Sequence, residues 1–200
     1  MSIPKTMRAV RIHGVEDYRM EEVPVPEVGP GEVLVRVLAS GVCASDVKTY
    51  IGARVWGSDE IAPYIQPPVT PGHEFVGEVV ALGEGAAEKH GLQIGDWAVS
   101  EQIVPCWECR FCRQGDYWMC QRHDIYGFIK DRAEGSWAEY MVFPAGSVNH
   151  RIPKELTIEE AALVEPMACA VHAVQRGEIQ LGDTVVIAGM GPIGLGMVQV

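Results

Sequence analysis

The sequence predicts an α/β chain in two parts. Residues 1–160 read as a β-rich domain carrying a cysteine lobe at 101–121, and residues 161–200 as the linking helix and first βα unit of a doubly wound dinucleotide-binding domain, cut short. Three observations predict it. The first 150 or so residues hold short valine-rich segments punctuated by Gly and Pro; a Thr-x-x-Glu capping box opens helical sequence at Thr157; and a β-branched run at 184–188 leads at once into a Gly-x-Gly-x-x-Gly turn.

In order along the chain, β segments are expected at 7–12, 32–39, 75–82, 97–100 and 138–143. Valines alternate in the second, as a half-buried strand requires, although alternation alone does not choose between a barrel and a sandwich. At Thr157 the hydroxyl and the Glu160 carboxylate are spaced to cap one another's donors, so a helix starts there. Pro166 fits the first turn of a second helix ending at Gly177, which places Glu165 just outside its N-terminus. The run from Thr184 to Ala188 has the composition of a strand buried in a parallel sheet.

Charge excludes some functions. With 16 Lys+Arg against 27 Asp+Glu the formal net charge is −11, and no cluster of basic residues could neutralise a phosphate backbone, so a nucleic-acid partner is not expected. No run is long and apolar enough for a membrane span, and the N-terminus lacks the apolar stretch of a secretory signal, so a cytoplasmic protein is expected.

Four of the six cysteines, Cys106, Cys109, Cys112 and Cys120, lie within fifteen residues. In a reducing compartment such spacing reads as a metal site, and four thiolates make a closed tetrahedral zinc site with no open position. Arg110, Arg113 and Gln114 make the same segment too polar for four buried free thiols. Cys43 and the Gly72-His73-Glu74 triplet are weak alone, since a single Cys or His is most often an ordinary packed residue. Glu165 strengthens them. It interrupts an apolar stretch, where an unpaired carboxylate costs several kcal/mol, and a mixed Cys/His/Glu set is what an open catalytic zinc would use. Gly189-Met190-Gly191-Pro192-Ile193-Gly194 has the strand-turn-helix context of a dinucleotide fingerprint, in which glycines admit a pyrophosphate to a helix N-terminus; a ligand-free Gly-rich turn is the alternative.

In their order, Gly72-His73-Glu74, the four-cysteine lobe, the segment Gly135-Ser-Trp-Ala-Glu-Tyr140 and the glycine fingerprint resemble the zinc-dependent medium-chain alcohol dehydrogenase family over essentially the whole chain. Glu165-Pro166 resembles the sorbitol and threonine dehydrogenase branch, and residues 100–109 look most like bacterial polyol dehydrogenases acting on erythritol and threitol. The resemblance implies a GroES-like catalytic domain followed by a Rossmann domain. It implies two Zn2+ per chain, a structural one on the four lobe cysteines and a catalytic one on Cys43 and His73. Glu165 would then be a ligand directly or through water, and Glu74 an alternative or supporting ligand. It also implies hydride transfer from a small polyol to NAD, with NADP left open because the deciding position lies beyond Val200, and a homo-oligomer, dimer or tetramer. Ser45 would pass the substrate proton outward and Asp46 orient His73; read alone, Ser45-Asp46 is equally a turn or helix cap. Lys48 stands where many members carry a histidine at the outer end of the relay. Trp56 and Phe128 are candidates for the substrate wall, or plain core. Two other readings stay open: another zinc dehydrogenase of this family, acting on sorbitol, threonine or a primary alcohol, and a non-catalytic zinc-stabilised module.

Overall fold

The chain begins with a hairpin in which β1 (Thr6–Gly14) pairs antiparallel with β2 (Asp17–Pro24). Met7, Ala9 and Ile12 face inward from β1. The computed structural model describes residues 2–58 and 60–200. β3 (Val33–Ser40), β4 (Phe75–Leu82), β5 (Trp97–Ser100), β8 (Tyr140–Phe143) and β9 (Asn149–Ile152) form one antiparallel sheet in the order β8-β3-β4-β5-β9. Between β3 and β4 the register slips at Leu34/Val35 and again at Val37/Ala39. Such bulges bend a strand and break its alternation, which is why Val33, Leu34 and Val35 are all buried.

The main core packs on this sheet around Phe75, whose ring lies 5.3 Å from Tyr126 and 5.5 Å from Phe143. The buried Tyr126 hydroxyl donates to Ser100 Oγ at 3.0 Å, so neither polar atom is stranded. A second cluster, Ile12, Ile65, Val69, Phe128 and Ile129, takes in Trp56 and Tyr64. β1 is tied across it by the Ile12 N–H donating to the Val69 carbonyl at 2.8 Å. Short helix α1 (Ala44–Tyr50) follows β3, and α2 (Ala86–His90) follows β4. The cysteine lobe contains β6 (Ile103–Val104) and α3 (Arg110–Gln114), and β6 pairs with β7 (Asp124–Ile125) just past the lobe.

The capping box forms as predicted. At the start of α4 (Ile158–Ala162), the Thr157 N–H donates to Glu160 Oε2 at 2.8 Å and the Glu160 N–H to Thr157 Oγ1 at 3.2 Å. Ala161, Ile158 and Val164 pack with Val76, Val99 and Ile152, seating α4 and the start of α5 (Val164–Arg176) against the sheet. Among the described residues no helix is long and apolar enough to cross a membrane.

Segments 75–82 and 97–100 match their expected bounds, and the other expected strands of the β-rich part shift by one or two residues. Two expectations are corrected. α5 starts at Val164 and not at Pro166; proline sits at the third helical position, whose N–H has no partner within the helix, and Glu165 therefore lies inside the first turn. Residues 184–188 carry no ladder, and Val186 is 88% exposed, because an extended segment becomes a buried parallel strand only between neighbouring strands, which the described residues do not supply. Beyond these, β2, β6, β7 and β9 were not anticipated: the first is dominated by charged and polar residues, and the others are only two to four residues long.

Candidate metal centres

In the lobe, the donor sulfurs of Cys106, Cys109, Cys112 and Cys120 all lie within 4.8 Å of one another, and all four are free thiols. Cys109 Sγ is 3.5 Å and Cys106 Sγ 3.9 Å from Cys112 Sγ. A tetrahedron with metal–sulfur bonds near 2.3 Å puts sulfurs about 3.8 Å apart, so these distances suit zinc and not disulfides. The chain turns tightly to achieve this, with Trp107 at φ +61° between two ligands. Main-chain N–H groups add charge stabilisation: those of Cys112 and Gln121 pull Cys109 down to about 6, while burial pushes Cys112 up to about 12. A cation is the group that would let all four ionise together.

The second centre assembles from two segments. Cys43 precedes α1, and its N–H donates to Asp46 Oδ2 at 2.8 Å, so the aspartate fixes the first turn of the helix that carries Ser45. His73 and Glu74 arrive on the segment leading into β4, and the donor atoms of Cys43, His73 and Glu74 lie within 4.8 Å of one another. The approach of Glu74 depends on Gly41. The Gly41 N–H donates to the Glu74 carbonyl at 2.7 Å, and a Cβ at Gly41 would stand only 2.3 Å from Glu74 Oε2. His73 is 2% exposed and its Nδ1 has no hydrogen-bond partner; Asp46 Oδ1 lies 3.8 Å away. A buried imidazole with an orphaned nitrogen beside a thiol and a carboxylate fits a metal ligand poised for a supporting carboxylate.

The electrostatics agree with that reading. Hydrogen bonding to His73 and to Ser45 lowers the Cys43 thiol despite its burial. Burial opposes a charged His73, but its bond to Cys43 and the charges of Asp46 and Glu165 outweigh it, and the imidazole is raised. Burial raises Asp46 and Glu165. Four acid or thiol groups around one imidazole constitute excess negative potential that a divalent cation would neutralise.

Glu165 stands beside this set without joining it: its charge acts on His73 and Glu74, and Cys169 Sγ lies 3.9 Å from its Oε1. Of the two carboxylates singled out in the sequence, Glu74 is the one within ligand distance of both Cys43 and His73. Cys169, one helical turn past Glu165, was not singled out; its i, i+4 spacing from Glu165 on a helix was the available signal. Lys48 is exposed in the last turn of α1, where a cation meets the negative end of the helix dipole. Trp56 Nε1 donates to the Thr49 carbonyl at 2.8 Å, and Phe128 lies 6.3 Å from the His73 ring, so both sit in the cluster beneath the centre.

At the far end, Gly189 takes φ +100°, Gly191 caps α6 (Pro192–Gln199) and Pro192 is its first residue. A Cβ at Gly194 would meet the Gly189 carbonyl oxygen at 1.9 Å. This turn closes only with glycine at both ends, and it leaves the main chain bare at a helix N-terminus, with Ile193 in the first turn.

Comparison with known proteins places residues 29–154 in the alcohol dehydrogenase GroES-like domain. The chain is 53% identical over 98% of its length to erythritol/L-threitol dehydrogenase of Mycolicibacterium smegmatis, covering 54% of that protein. It is 33% identical over 97% of its length to sorbitol dehydrogenase of Bacillus subtilis, covering 52% of it. Among solved structures, a short chain alcohol dehydrogenase from Escherichia coli CFT073 in complex with NADH superposes with a TM-score of 0.83 at 30% identity, over 98% of this chain and 53% of that one. The chain spans about half the length of the curated relatives it matches.

Proposed function

The chain belongs to the zinc-dependent medium-chain alcohol dehydrogenase family, and from that premise we propose that the whole protein oxidises a secondary hydroxyl of a small, threitol- or erythritol-like polyol to a ketose, passing the hydride to NAD. The observation that carries the reading is the convergence of Cys43, His73 and Glu74 beside Ser45 and Glu165. The 53% identity to an erythritol/L-threitol dehydrogenase supports the four-carbon substrate, and the likeness to a structure holding NADH supports a nicotinamide cofactor.

In this reading Cys43 and His73 hold one zinc, with Glu74 or Glu165 as the third donor, and the lobe cysteines hold a second. When bound, the first zinc supplies Lewis acidity that lowers the pKa of a neighbouring hydroxyl. Ser45, two residues past Cys43 in the first turn of α1, accepts the proton that leaves the substrate oxygen. Asp46 clamps the N-terminus of α1 and, 3.8 Å from His73 Nδ1, is the carboxylate that would orient the imidazole once the zinc is bound. With Lys48 turned to solvent, the proton passes from Ser45 to water or to the cofactor ribose. The turn from Gly189 to Gly194 receives the pyrophosphate through Gly191, Pro192 and Ile193. Residues 1–160 serve as the catalytic domain and residues 161–200 open the cofactor domain. A cytoplasmic homo-oligomer is the state we propose.

The test uses the full-length protein, with metal analysis and nicotinamide absorbance on threitol, erythritol, sorbitol, threonine and ethanol with NAD and NADP. Two zinc ions per chain and turnover of a tetritol with NAD are expected. His73→Ala is expected to abolish turnover and keep the lobe zinc; retained turnover would overturn the ligand assignment. One zinc and no turnover on any alcohol would replace the reading with a zinc-stabilised module.

A further inference from the structure

A cleft of about 510 Å³ opens between α5 and the edge formed by β5 and the cysteine lobe. That volume lies within the range of small-molecule sites. Val164 and Val99 line its apolar wall, and Glu165 connects it to the Cys43–His73–Glu74 centre.

Two groups in this cleft have no part in the chemistry described so far. Glu101 is held firmly: its Oε1 accepts from the Tyr117 hydroxyl at 2.9 Å and from His150 Nε2 at 3.1 Å, while Oε2 has no hydrogen-bond partner among the described residues. Tyr117 stays a protonated donor, because burial and then its bond to Glu101 push it up to about 12. Trp118 is 44% exposed, and its ring is held by T-shaped contacts to Tyr117 at 5.7 Å and His172 at 5.9 Å. A fixed carboxylate oxygen lining the same cleft as an aromatic ring complements a molecule with hydroxyls along one edge and C–H groups along the other. An open-chain polyol has that shape. A monohydric alcohol would cover the ring and leave the Glu101 oxygen unpaired, which is how a site built for a hydroxyl rejects the analogue that lacks it.

The geometry points to this cleft as the subsite for the hydroxylated tail of the substrate, with Glu101 accepting from a hydroxyl remote from the reacting carbon and Trp118 covering the adjoining C–H face. The inference rests on the dehydrogenase reading above and deepens it: Glu101 and Trp118, not Trp56 and Phe128, set the preference for polyols over simple alcohols.

The test uses the zinc-loaded, full-length enzyme and compares threitol with butan-2-ol, which keeps four carbons and one secondary hydroxyl. Glu101→Gln is expected to lower kcat/KM for threitol about tenfold or more, through KM, and to lower the threitol-to-butan-2-ol ratio by a similar factor. Trp118→Leu is expected to lower that ratio several-fold. Titrating threitol against tryptophan fluorescence reads the same subsite without turnover: a saturable change in the wild type, weakened in Glu101→Gln and lost in Trp118→Leu. An unchanged ratio, or equal losses on both alcohols with a lowered melting temperature, assigns Glu101 to holding Tyr117 and His150 and overturns the subsite. Should the wild type oxidise neither alcohol, the dehydrogenase reading fails by itself; a wild-type fluorescence change that Trp118→Leu abolishes still upholds the cleft, and its absence overturns it.

Discussion

Replacing Gly41 by alanine separates the two carboxylates competing for the third ligand position. The added Cβ would lie 2.3 Å from Glu74 Oε2 and 3.0 Å from Glu74 Cβ. Non-bonded heavy atoms settle at about 3.5 Å, so the carboxylate must retreat by about 1 Å. The main chain is pinned by the 2.7 Å bond from the Gly41 N–H to the Glu74 carbonyl, and the side chain is therefore what moves. Metal–ligand distances tolerate only about 0.2 Å, so Glu74 leaves the donor set while the strand stays in place. We expect Gly41→Ala to keep its circular dichroism and lobe zinc and to bind the second zinc about 10- to 100-fold more weakly, as measured by chelator competition with metal analysis. Wild-type affinity in Gly41→Ala, together with loss in Glu165→Gln, would refute the assignment of Glu74 and make Glu165 the third ligand.

Other perturbations probe the scaffold. Cys112→Ser removes one of four mutually close sulfurs and opens the closed site; loss of the lobe zinc and a lower melting temperature are expected, and a loss of turnover at unchanged melting temperature would mean that the two centres had been exchanged. Thr157→Ala deletes half of the capping box at α4 and is expected to cost about 1 kcal/mol, read as a fall of about 2–4 °C in Tm. At Glu139, the Arg8 N–H and then its guanidinium hold the carboxyl below its usual 4.5. A depressed folded pKa gives stability present above the unfolded value and lost as pH falls through the folded one. Glu139→Gln should therefore flatten the dependence of Tm on pH between about 5 and 3, and an unchanged slope would dismiss the pair.

What could be read from the sequence follows from how local each signal is. The four lobe cysteines, the Thr157–Glu160 box and the glycine turn are written within fifteen residues or fewer, and their spacing alone dictates a geometry. Strands 75–82 and 97–100 were legible because valine-rich runs end in glycine or polar breaks. β2 was not, because it exists through its pairing with β1, none of its residues is buried and half of them are charged. The run at 184–188 shows the converse: its composition suits a buried strand, yet a strand exists only with its partners.

The catalytic candidates sit at the other extreme, since Cys43, His73 and Glu165 are separated by 30 and 92 residues, and no spacing rule reaches that far. An apolar neighbourhood drew attention to Glu165, and that argument was sound about cost: burial does raise its pKa. It could not say toward which group the carboxylate would face. That was decided by α5 beginning two residues earlier than Pro166 suggested, which carries Glu165 into the first helical turn beside Cys169, and by Gly41, whose missing side chain admits Glu74 to the donor set. A glycine that acts by absence, thirty-three residues from the group it admits, leaves no pattern in a single sequence. Its effect is visible only once the two strands are side by side, where the missing Cβ lets Glu74 come within 4.8 Å of the donor atoms of Cys43 and His73.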